Sequence, residues 1–142
     1  MHELFKVRKR FKFECAHKLN SSYSKCCQNV HGHGYICDVI LSSTKLNDDG
    51  MVMDFGELKD KIQRIFDQYD HSTVVTDGLQ YELPEGTSVV LSEGNPTAEN
   101  MAKAIYHEIE KALNIDENSD IQLDKVVVHE TDTGYASYEV SM

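Results

Sequence analysis

The sequence predicts an α+β domain in which four antiparallel strands form one sheet and two helices cover one of its faces. Segments near both ends of the chain alternate apolar and polar residues, which is typical of half-buried strands. Two segments between them repeat apolar residues at helical spacing. With 142 residues the chain is long enough to bury a core without disulfides or a structural metal, and we assign residues 1–142 to one domain.

The first predicted strand covers residues 4–17. One parity of this segment is apolar, the other is mostly basic, and His17 ends the strand on the apolar parity. A polar, turn-rich segment, residues 18–30, joins it to a second antiparallel strand, residues 31–42. The apolar parity of the first strand consists of Phe5, Val7, Phe11, Phe13 and Cys15.

Two helices are predicted in the middle of the chain. Asp54 and Glu57 have the spacing of a capping box, so a helix is expected over residues 55–69. Thr97 is the expected N-cap of a second helix, which ends at Asn114 or in the polar residues after it. The predicted buried stripes are Phe55, Leu58, Ile62, Ile65, Phe66 and Tyr69 in the first helix, and Met101, Ile105, Ile109, Ala112 and Leu113 in the second.

The C-terminal part returns to a β pattern. Residues 121–131 and residues 135–140 are predicted to form strands that pair as a hairpin. The segment 72–95 contains glycine turns and one short apolar run, residues 88–91, which is either a small strand or a loop folded over another part. An open sheet has two exposed edges, so we expect chains to associate edge to edge and to share sites at their interfaces.

The net charge of −10 is unevenly distributed and argues against a general nucleic-acid binder. Residues 1–25 carry seven basic and two acidic side chains, which we interpret either as a solvated strand face or as a local attraction for a small anionic substrate. No apolar run has the length of a membrane span, and the N-terminus lacks a signal-peptide pattern. We therefore expect a cytoplasmic protein without membrane contact, whose four cysteines are thiols, ligands or nucleophiles.

Three histidines form the main candidate site. His31 and His33 lie on one face of a strand with Cα atoms about 6.6 Å apart, and His17 is the candidate third ligand. Three imidazoles with an open coordination position are typical of a catalytic zinc ion, which acts as a Lewis acid on a substrate oxygen. The alternative is a structural zinc site that combines Cys26 or Cys27 with His31 and His33, although this spacing is irregular for a zinc knuckle.

Six short motifs occur in order along the chain. They are Phe13-Glu14-Cys15-Ala16-His17-Lys18-Leu19, Cys27-x-x-x-His31-Gly32-His33, Gly50-Met51-Val52-Met53-Asp54-Phe55, Asp70-His71, Asn95-Pro96-Thr97-Ala98-Glu99-Asn100 and His129-Glu130-Thr131. Each motif alone is weak, but their common order and spacing over residues 11–138 resemble the 6-pyruvoyl-tetrahydropterin synthase and 6-carboxy-tetrahydropterin synthase family.

The resemblance implies the tunnelling fold, which agrees with the predicted order of strands and helices. It implies a zinc ion bound by His17, His31 and His33, and a homo-oligomer, a hexamer, with active sites at subunit interfaces. The substrate implied is a small molecule, dihydroneopterin triphosphate.

The resemblance also implies that Cys27 is the general base or acid at the substrate side chain and works with His71 and Asp70. A thiolate near a cation has a lowered pKa, and a histidine oriented by a carboxylate relays protons near neutral pH. Taken alone, the Asp-His pair after a helix is read as a C-terminal cap. Because Cys26 adjoins Cys27, the reactive thiol is either of the two.

The resemblance further implies substrate contacts. Glu130 is the pterin anchor, because a carboxylate accepts two parallel hydrogen bonds from the 2-amino group and ring N–H of a pterin. Thr97 and Glu99 belong to a motif near the pterin pocket, although helix capping and the helix dipole also account for them. Lys18 and Lys25 flank the motifs and are candidate contacts of the triphosphate.

Two reactions occur within this family. One branch eliminates triphosphate to give 6-pyruvoyl-tetrahydropterin; the other also cleaves a carbon–carbon bond, releases acetaldehyde and gives 6-carboxy-tetrahydropterin for deazapurine (queuosine-type) biosynthesis. The second branch is favoured because Cys27 stands four residues before His31 and because the loop between His17 and His31 is short. The alternatives are the pyruvoyl-forming enzyme and a non-enzymatic, zinc-stabilised pterin-binding subunit.

Overall fold

The computed structural model describes residues 3–20 and 22–141, except for the side chains of Cys26 and Cys27. Within these residues, two α-helices and six strands follow one another, with one 3-10 turn at Lys25–Gln28. The strands are β1 (Phe5–His17), β2 (His31–Ser43), β3 (Thr73–Thr76), β4 (Val89–Ser92), β5 (Ile121–His129) and β6 (Tyr135–Tyr138), and the helices are α1 (Phe55–Tyr69) and α2 (Ala98–Leu113).

All six strands belong to one mixed sheet with the order β4-β3-β1-β2-β5-β6. The pairs β1–β2, β2–β5 and β5–β6 are antiparallel, as predicted. The prediction of a four-stranded antiparallel sheet is corrected, because β3 and β4 extend the sheet beyond β1 by parallel pairing. Each of these two strands has only four residues, too few for a clear alternation of apolar and polar side chains.

The core lies between the sheet and the two helices. Phe66 of α1 stacks on Phe11 of β1 with ring centroids 4.3 Å apart, and Phe13 stacks on Tyr35 of β2 at 5.4 Å. The predicted stripes are buried with three exceptions. Phe55, at the first position of α1, is 48% exposed, and the last two stripe residues of α2 are partly buried.

Both helices begin and end at the predicted residues. The Asp54 carboxylate accepts from the backbone N atoms of Gly56 and Glu57 at 2.8 and 3.1 Å, and thereby caps α1. Thr97 caps α2 by accepting from Asn100 N at 3.2 Å. Asn114 adopts the left-handed conformation with φ of 54° and ends α2.

The outer strands of the sheet are β4 and β6. Leu91 of β4 and Tyr135 of β6 are 61% and 68% exposed. Each edge strand therefore has a large apolar or aromatic side chain exposed on the surface of the chain. Among the described residues, neither α-helix has the length and apolar character needed to cross a membrane.

A candidate metal centre

The pairing of β1 with β2 brings the three candidate histidines together. His17 lies opposite His31 in the register, and Cys15 lies opposite His33, so all three imidazoles project from the core-facing side at one end of the strand pair. Their ring centroids are 4.4 to 5.1 Å apart. His17 is buried, whereas the other two are half-buried.

Hydrogen bonds determine which nitrogen of two histidines faces the cluster. His17 Nδ1 lies 2.8 Å from the carbonyl oxygen of Pro96, and His31 Nδ1 lies 2.7 Å from that of Asn29. Because a carbonyl oxygen only accepts, each Nδ1 carries the proton and each Nε2 has a lone pair. The two Nε2 atoms are 2.7 Å apart, and two lone pairs at this distance repel unless a cation or proton lies beside them.

Glu130 completes the cluster. Its Oε1 atom lies 3.3 Å from both His17 Nε2 and His33 Nε2. His33 Nε2 is buried and makes no hydrogen bond among the described residues, an arrangement that protein structures rarely tolerate without an ion or water. One donor atom from each of the four side chains lies within 4.8 Å of the others, so the group has the geometry to hold a metal ion.

The electrostatics of the cluster favour metal binding. Burial lowers the pKa of His17, and the neighbouring imidazoles act in the same direction. The hydrogen bond to Pro96 and the Glu130 carboxylate only partly offset this shift. The imidazole is therefore neutral near pH 7, which is the protonation state that binds metals.

The position of Glu130 could not be read from its sequence neighbours. The sequence predicts a pterin anchor, whereas the structure places the carboxylate against the histidines, where it is also available as a fourth ligand. The approach follows from the pairing of β2 with β5, in which Ile36 lies opposite His129, the residue before Glu130. Its position directly after a β strand was the only local signal.

Of the residues expected to transfer protons, the structure describes the side chains of Asp70 and His71 but not that of Cys27. Cys27 lies on the 3-10 turn Lys25–Gln28, and its side chain and that of Cys26 are outside the described part of the chain. The other two cysteines, Cys15 and Cys37, are buried free thiols. Burial, with a further contribution from the Asp70 carboxylate, raises the pKa of Cys15 to about 12, so this thiol is not the reactive one at neutral pH.

Asp70 and His71 follow α1 directly. Asp70 Oδ1 accepts from Glu14 N at 2.9 Å, and its second oxygen lies 3.7 Å from His71 Nε2. Asp70 therefore holds the end of α1 against β1, and its backbone N–H, which donates to Phe66 O at 3.0 Å, makes it the C-cap residue of the helix. The His71 side chain is 78% exposed and lines the same open cavity of about 460 Å³ as His33, so a role in proton transfer remains compatible with its place.

The candidate substrate contacts lie on three segments: the start of α2, the 3-10 turn and the residue after β1. Thr97 follows Pro96 in the chain and caps α2, and Glu99 is exposed in the first turn of that helix. Lys25 is exposed on the 3-10 turn. The ammonium of Lys18, the residue after His17, lies 5.7 Å from the ring centroid of Tyr81.

Some of the basic side chains of β1 form ion pairs. Arg10 donates two hydrogen bonds to Asp38 of β2 at 2.8 and 3.0 Å, and His129 Nε2 lies 3.1 Å from the same carboxylate. Although burial opposes ionisation, these hydrogen bonds lower the pKa of Asp38. For this part of the strand, the structure favours a paired, solvated face over a free anion site.

Comparisons with known proteins agree with the fold and the motifs. A family model described as 6-pyruvoyl tetrahydropterin synthase matches residues 6–141. A Rickettsia conorii protein named 6-carboxy-5,6,7,8-tetrahydropterin synthase is 32% identical, over 81% of this chain and 87% of its own. An Aquifex aeolicus protein of the same name is 30% identical, over 95% of this chain and 98% of its own. The solved structure of the Caenorhabditis elegans 6-pyruvoyl tetrahydropterin synthase superposes with a TM-score of 0.73 at 24% identity. The superposition covers 99% of this chain and 98% of the other.

Proposed function

Since the chain belongs to the 6-pyruvoyl tetrahydropterin synthase family, we propose that it is a zinc-dependent lyase acting on dihydroneopterin triphosphate. The carbon–carbon cleavage consumes one water molecule, and the proposed products are 6-carboxy-tetrahydropterin, triphosphate and acetaldehyde. The single observation that carries this proposal is the cluster of His17, His31, His33 and Glu130 at one end of the sheet. Nitrogen donors with a carboxylate suit Zn²⁺, which takes His and Asp/Glu ligands in catalytic sites.

Three histidines of this chain would hold the Zn²⁺. The carbonyls of Pro96 and Asn29 orient His17 and His31 so that their Nε2 lone pairs face the ion. When bound, Zn²⁺ polarises oxygen atoms of the substrate side chain and thereby makes the neighbouring carbon more acidic.

The remaining candidate residues handle protons and the substrate. The Cys27 thiolate takes the proton from the side-chain carbon, and His71, beside Asp70, carries it away as triphosphate leaves. Glu130 is the proposed acceptor of the hydrogen bonds from the pterin edge. Lys18 and Lys25 contact the triphosphate, with Thr97 and Glu99 near the pterin pocket.

Two observations support the carboxy-forming branch. The Rickettsia and Aquifex relatives are both named for that product, and Cys27 lies on the turn directly before β2, close to His31 in the chain. We therefore assign the chain to deazapurine (queuosine-type) biosynthesis in the cytoplasm. The pyruvoyl-forming reaction is the second candidate, because the matching family model is named for it.

We further propose that the chain forms a homo-oligomer, a hexamer, with active sites at its interfaces. The exposed apolar side chains of the outer strands support edge-to-edge assembly, which removes unpaired strand edges. Light scattering on the eluting peak of a size-exclusion column measures the mass. A monomeric peak would contradict this proposal.

The decisive experiment is incubation of the zinc-loaded protein with dihydroneopterin triphosphate, with the pterin product mass and acetaldehyde measured together. The carboxy product with acetaldehyde supports the proposal. The pyruvoyl product without acetaldehyde identifies the second candidate. No turnover would favour the non-enzymatic, zinc-stabilised pterin-binding subunit.

A further inference from the structure

Residues 77–88 join β3 to β4 and have no role in the proposed reaction. Tyr81 of this segment donates a hydrogen bond from its hydroxyl to Asn20 Oδ1 at 2.9 Å, and the same hydroxyl accepts from Thr76 N at 3.2 Å. Asn20 Nδ2 in turn donates to Thr76 Oγ1. We call these three residues the Asn20 network; they join the segment just after β1 to the end of β3.

The Asn20 network is bonded to the turn before α2 at two points. Thr76 Oγ1 donates to the carbonyl oxygen of Gly94 at 2.9 Å, and Asn20 N donates to Asn95 Oδ1 at 2.7 Å. Asn95 also contacts α2, because its carbonyl accepts a hydrogen bond from Asn100 Nδ2 of that helix at 2.8 Å. The position of this turn therefore depends on the network on one side and on α2 on the other.

The same turn supplies the partner of a candidate metal ligand. Pro96 follows Asn95 and is fully buried, and its carbonyl accepts from His17 Nδ1 at 2.8 Å. This hydrogen bond keeps the proton on Nδ1 and aims Nε2 at the cluster. Partners of this kind fix the tautomer and orientation of a metal-binding imidazole, and their loss weakens metal binding by about 10- to 100-fold.

We propose that Tyr81 is a positioning residue of the metal centre. Its hydroxyl, through Asn20 and the turn at residues 94–96, holds the Pro96 carbonyl where it orients the His17 imidazole. The inference rests on the metal site of the proposed function and not on the reaction assigned to that site. It also gives the segment 77–88 a function as a brace of the metal centre.

The test compares Tyr81→Phe, which keeps the ring beside Lys18 and removes only the hydroxyl, with Tyr106→Phe. The Tyr106 hydroxyl donates to Leu123 O at 3.2 Å between α2 and β5. Leu123 pairs with Leu41, ten residues along β2 from His31, so the control removes a tyrosine hydroxyl at the opposite end of the sheet. The measurements are the Zn²⁺ dissociation constant, by competition with a chromophoric chelator, and the Tm of the metal-free protein.

Tyr81→Phe is expected to raise the Zn²⁺ dissociation constant by up to about tenfold, the low end of the effect of a direct partner, because Tyr81 acts on His17 through Asn20 and the turn. The Tm of the metal-free protein should change little, because the Asn20 network is only partly buried. Tyr106→Phe should lower this Tm and leave the dissociation constant unchanged. Asn20→Ala should weaken Zn²⁺ binding as Tyr81→Phe does, and the double variant should bind no more weakly than Asn20→Ala, because both changes act through one set of hydrogen bonds.

An unchanged dissociation constant in Tyr81→Phe would overturn the inference, and so would an equal rise in Tyr106→Phe. A parent protein without affinity for Zn²⁺ would overturn it as well. If the parent binds Zn²⁺ and the variants behave as expected but dihydroneopterin triphosphate is not converted, the proposed reaction fails and the inference stands.

Discussion

At the scale of single residues, the candidate site depends on which atom each side chain presents to the cluster. The carbonyls of Pro96 and Asn29 direct the Nε2 atoms of His17 and His31 inward, and Glu130 adds a carboxylate oxygen beside them. Three neutral imidazoles leave the charge of a bound Zn²⁺ largely uncompensated. The role of Glu130, as ligand or as pterin anchor, therefore decides how strongly the site attracts an anionic substrate.

Glu130→Gln separates these two roles. As the pterin anchor, Glu130 makes charge-assisted hydrogen bonds to the substrate, so the variant should raise KM by about 10- to 100-fold. Its Zn²⁺ dissociation constant should then change far less than that of His33→Ala, which removes a nitrogen ligand. Steady-state kinetics and chelator competition give the two quantities, and a large loss of Zn²⁺ affinity with an unchanged KM would make Glu130 a ligand.

Cys27→Ala tests the assignment of the base. Loss of a general base should lower kcat by about 10²- to 10⁴-fold. Cys26→Ala is the matched control, since it removes the neighbouring thiol from the same turn, and it should keep turnover close to that of the parent. Product formation measured with both variants at equal zinc content decides between them, and the opposite pattern would assign the reaction to Cys26.

At the scale of elements, strands that are distant in the sequence are held together in two ways. The core packs against one face of the sheet, and charged side chains form ion pairs on the other face. Asp38 of β2 bridges Arg10 of β1 and His129 of β5, and its side chain is 6% exposed. Sequence alternation alone placed Arg10 among basic residues that form either a solvated strand face or a local attraction for an anionic substrate. The bridge became visible only from the register of three strands.

Asp38→Asn should lower the free energy of unfolding at pH 7 by about 1.5 to 3 kcal/mol, the usual worth of hydrogen bonds to a charged group. The pKa of Asp38 is lowered in the folded protein from an ordinary value of 3.8. Its stabilising contribution is therefore complete above pH 3.8 and is lost as the pH falls through the lower folded pKa. The difference between parent and variant should shrink accordingly in urea unfolding series at decreasing pH.

The control for this prediction is Asp120→Asn. Asp120 lies 3.8 Å from Lys45 in a pair whose side chains are both about 70% exposed. Such a pair contributes little to stability, so the variant should have the same free energy of unfolding as the parent at each pH. An Asp38→Asn protein that is as stable as the parent at pH 7 would show that the three-strand bridge does not stabilise the sheet.

At the scale of the whole molecule, the metal centre lies at one end of the core, where the buried His17 contacts the core residue Tyr35. The core consists of aromatic and aliphatic side chains between the sheet and the helices, whereas the cluster lies at one end of β1 and β2. A domain of this size with such a core does not need a metal in order to fold. The proposed zinc site is therefore expected to be catalytic, and removal of the zinc should not unfold the domain.

Removal of the metal with a chelator should therefore stop turnover and leave the far-ultraviolet circular dichroism and cooperative unfolding in place. The free energy of unfolding should fall only by the contribution of ligand binding, about 2.7 kcal/mol at a Zn²⁺ concentration 100 times the dissociation constant, with a matching decrease in Tm. Readdition of Zn²⁺ should restore turnover. Unfolding on chelation would instead indicate a structural site.

The sequence by itself determined the elements that depend on neighbouring residues. Helical spacing and capping residues predicted α1 and α2 to within a residue, and alternation predicted β1, β2 and the β5–β6 hairpin. The motif spacing also selected His17, His31 and His33 as candidate ligands. These signals are local, because a helix or strand repeats its buried face every few residues.

Only the tertiary structure decided what lies beside these elements. It added β3 and β4 as parallel strands, brought the Glu130 carboxylate to the histidines, and bonded Tyr81 to Asn20. The pairing of β3 with β4 joins residues sixteen positions apart, and each of the other contacts joins residues more than fifty positions apart in the chain. Their registers result from packing of the sheet and loops around one core, and periodicity within a short segment contains no information about which distant segment will lie beside it.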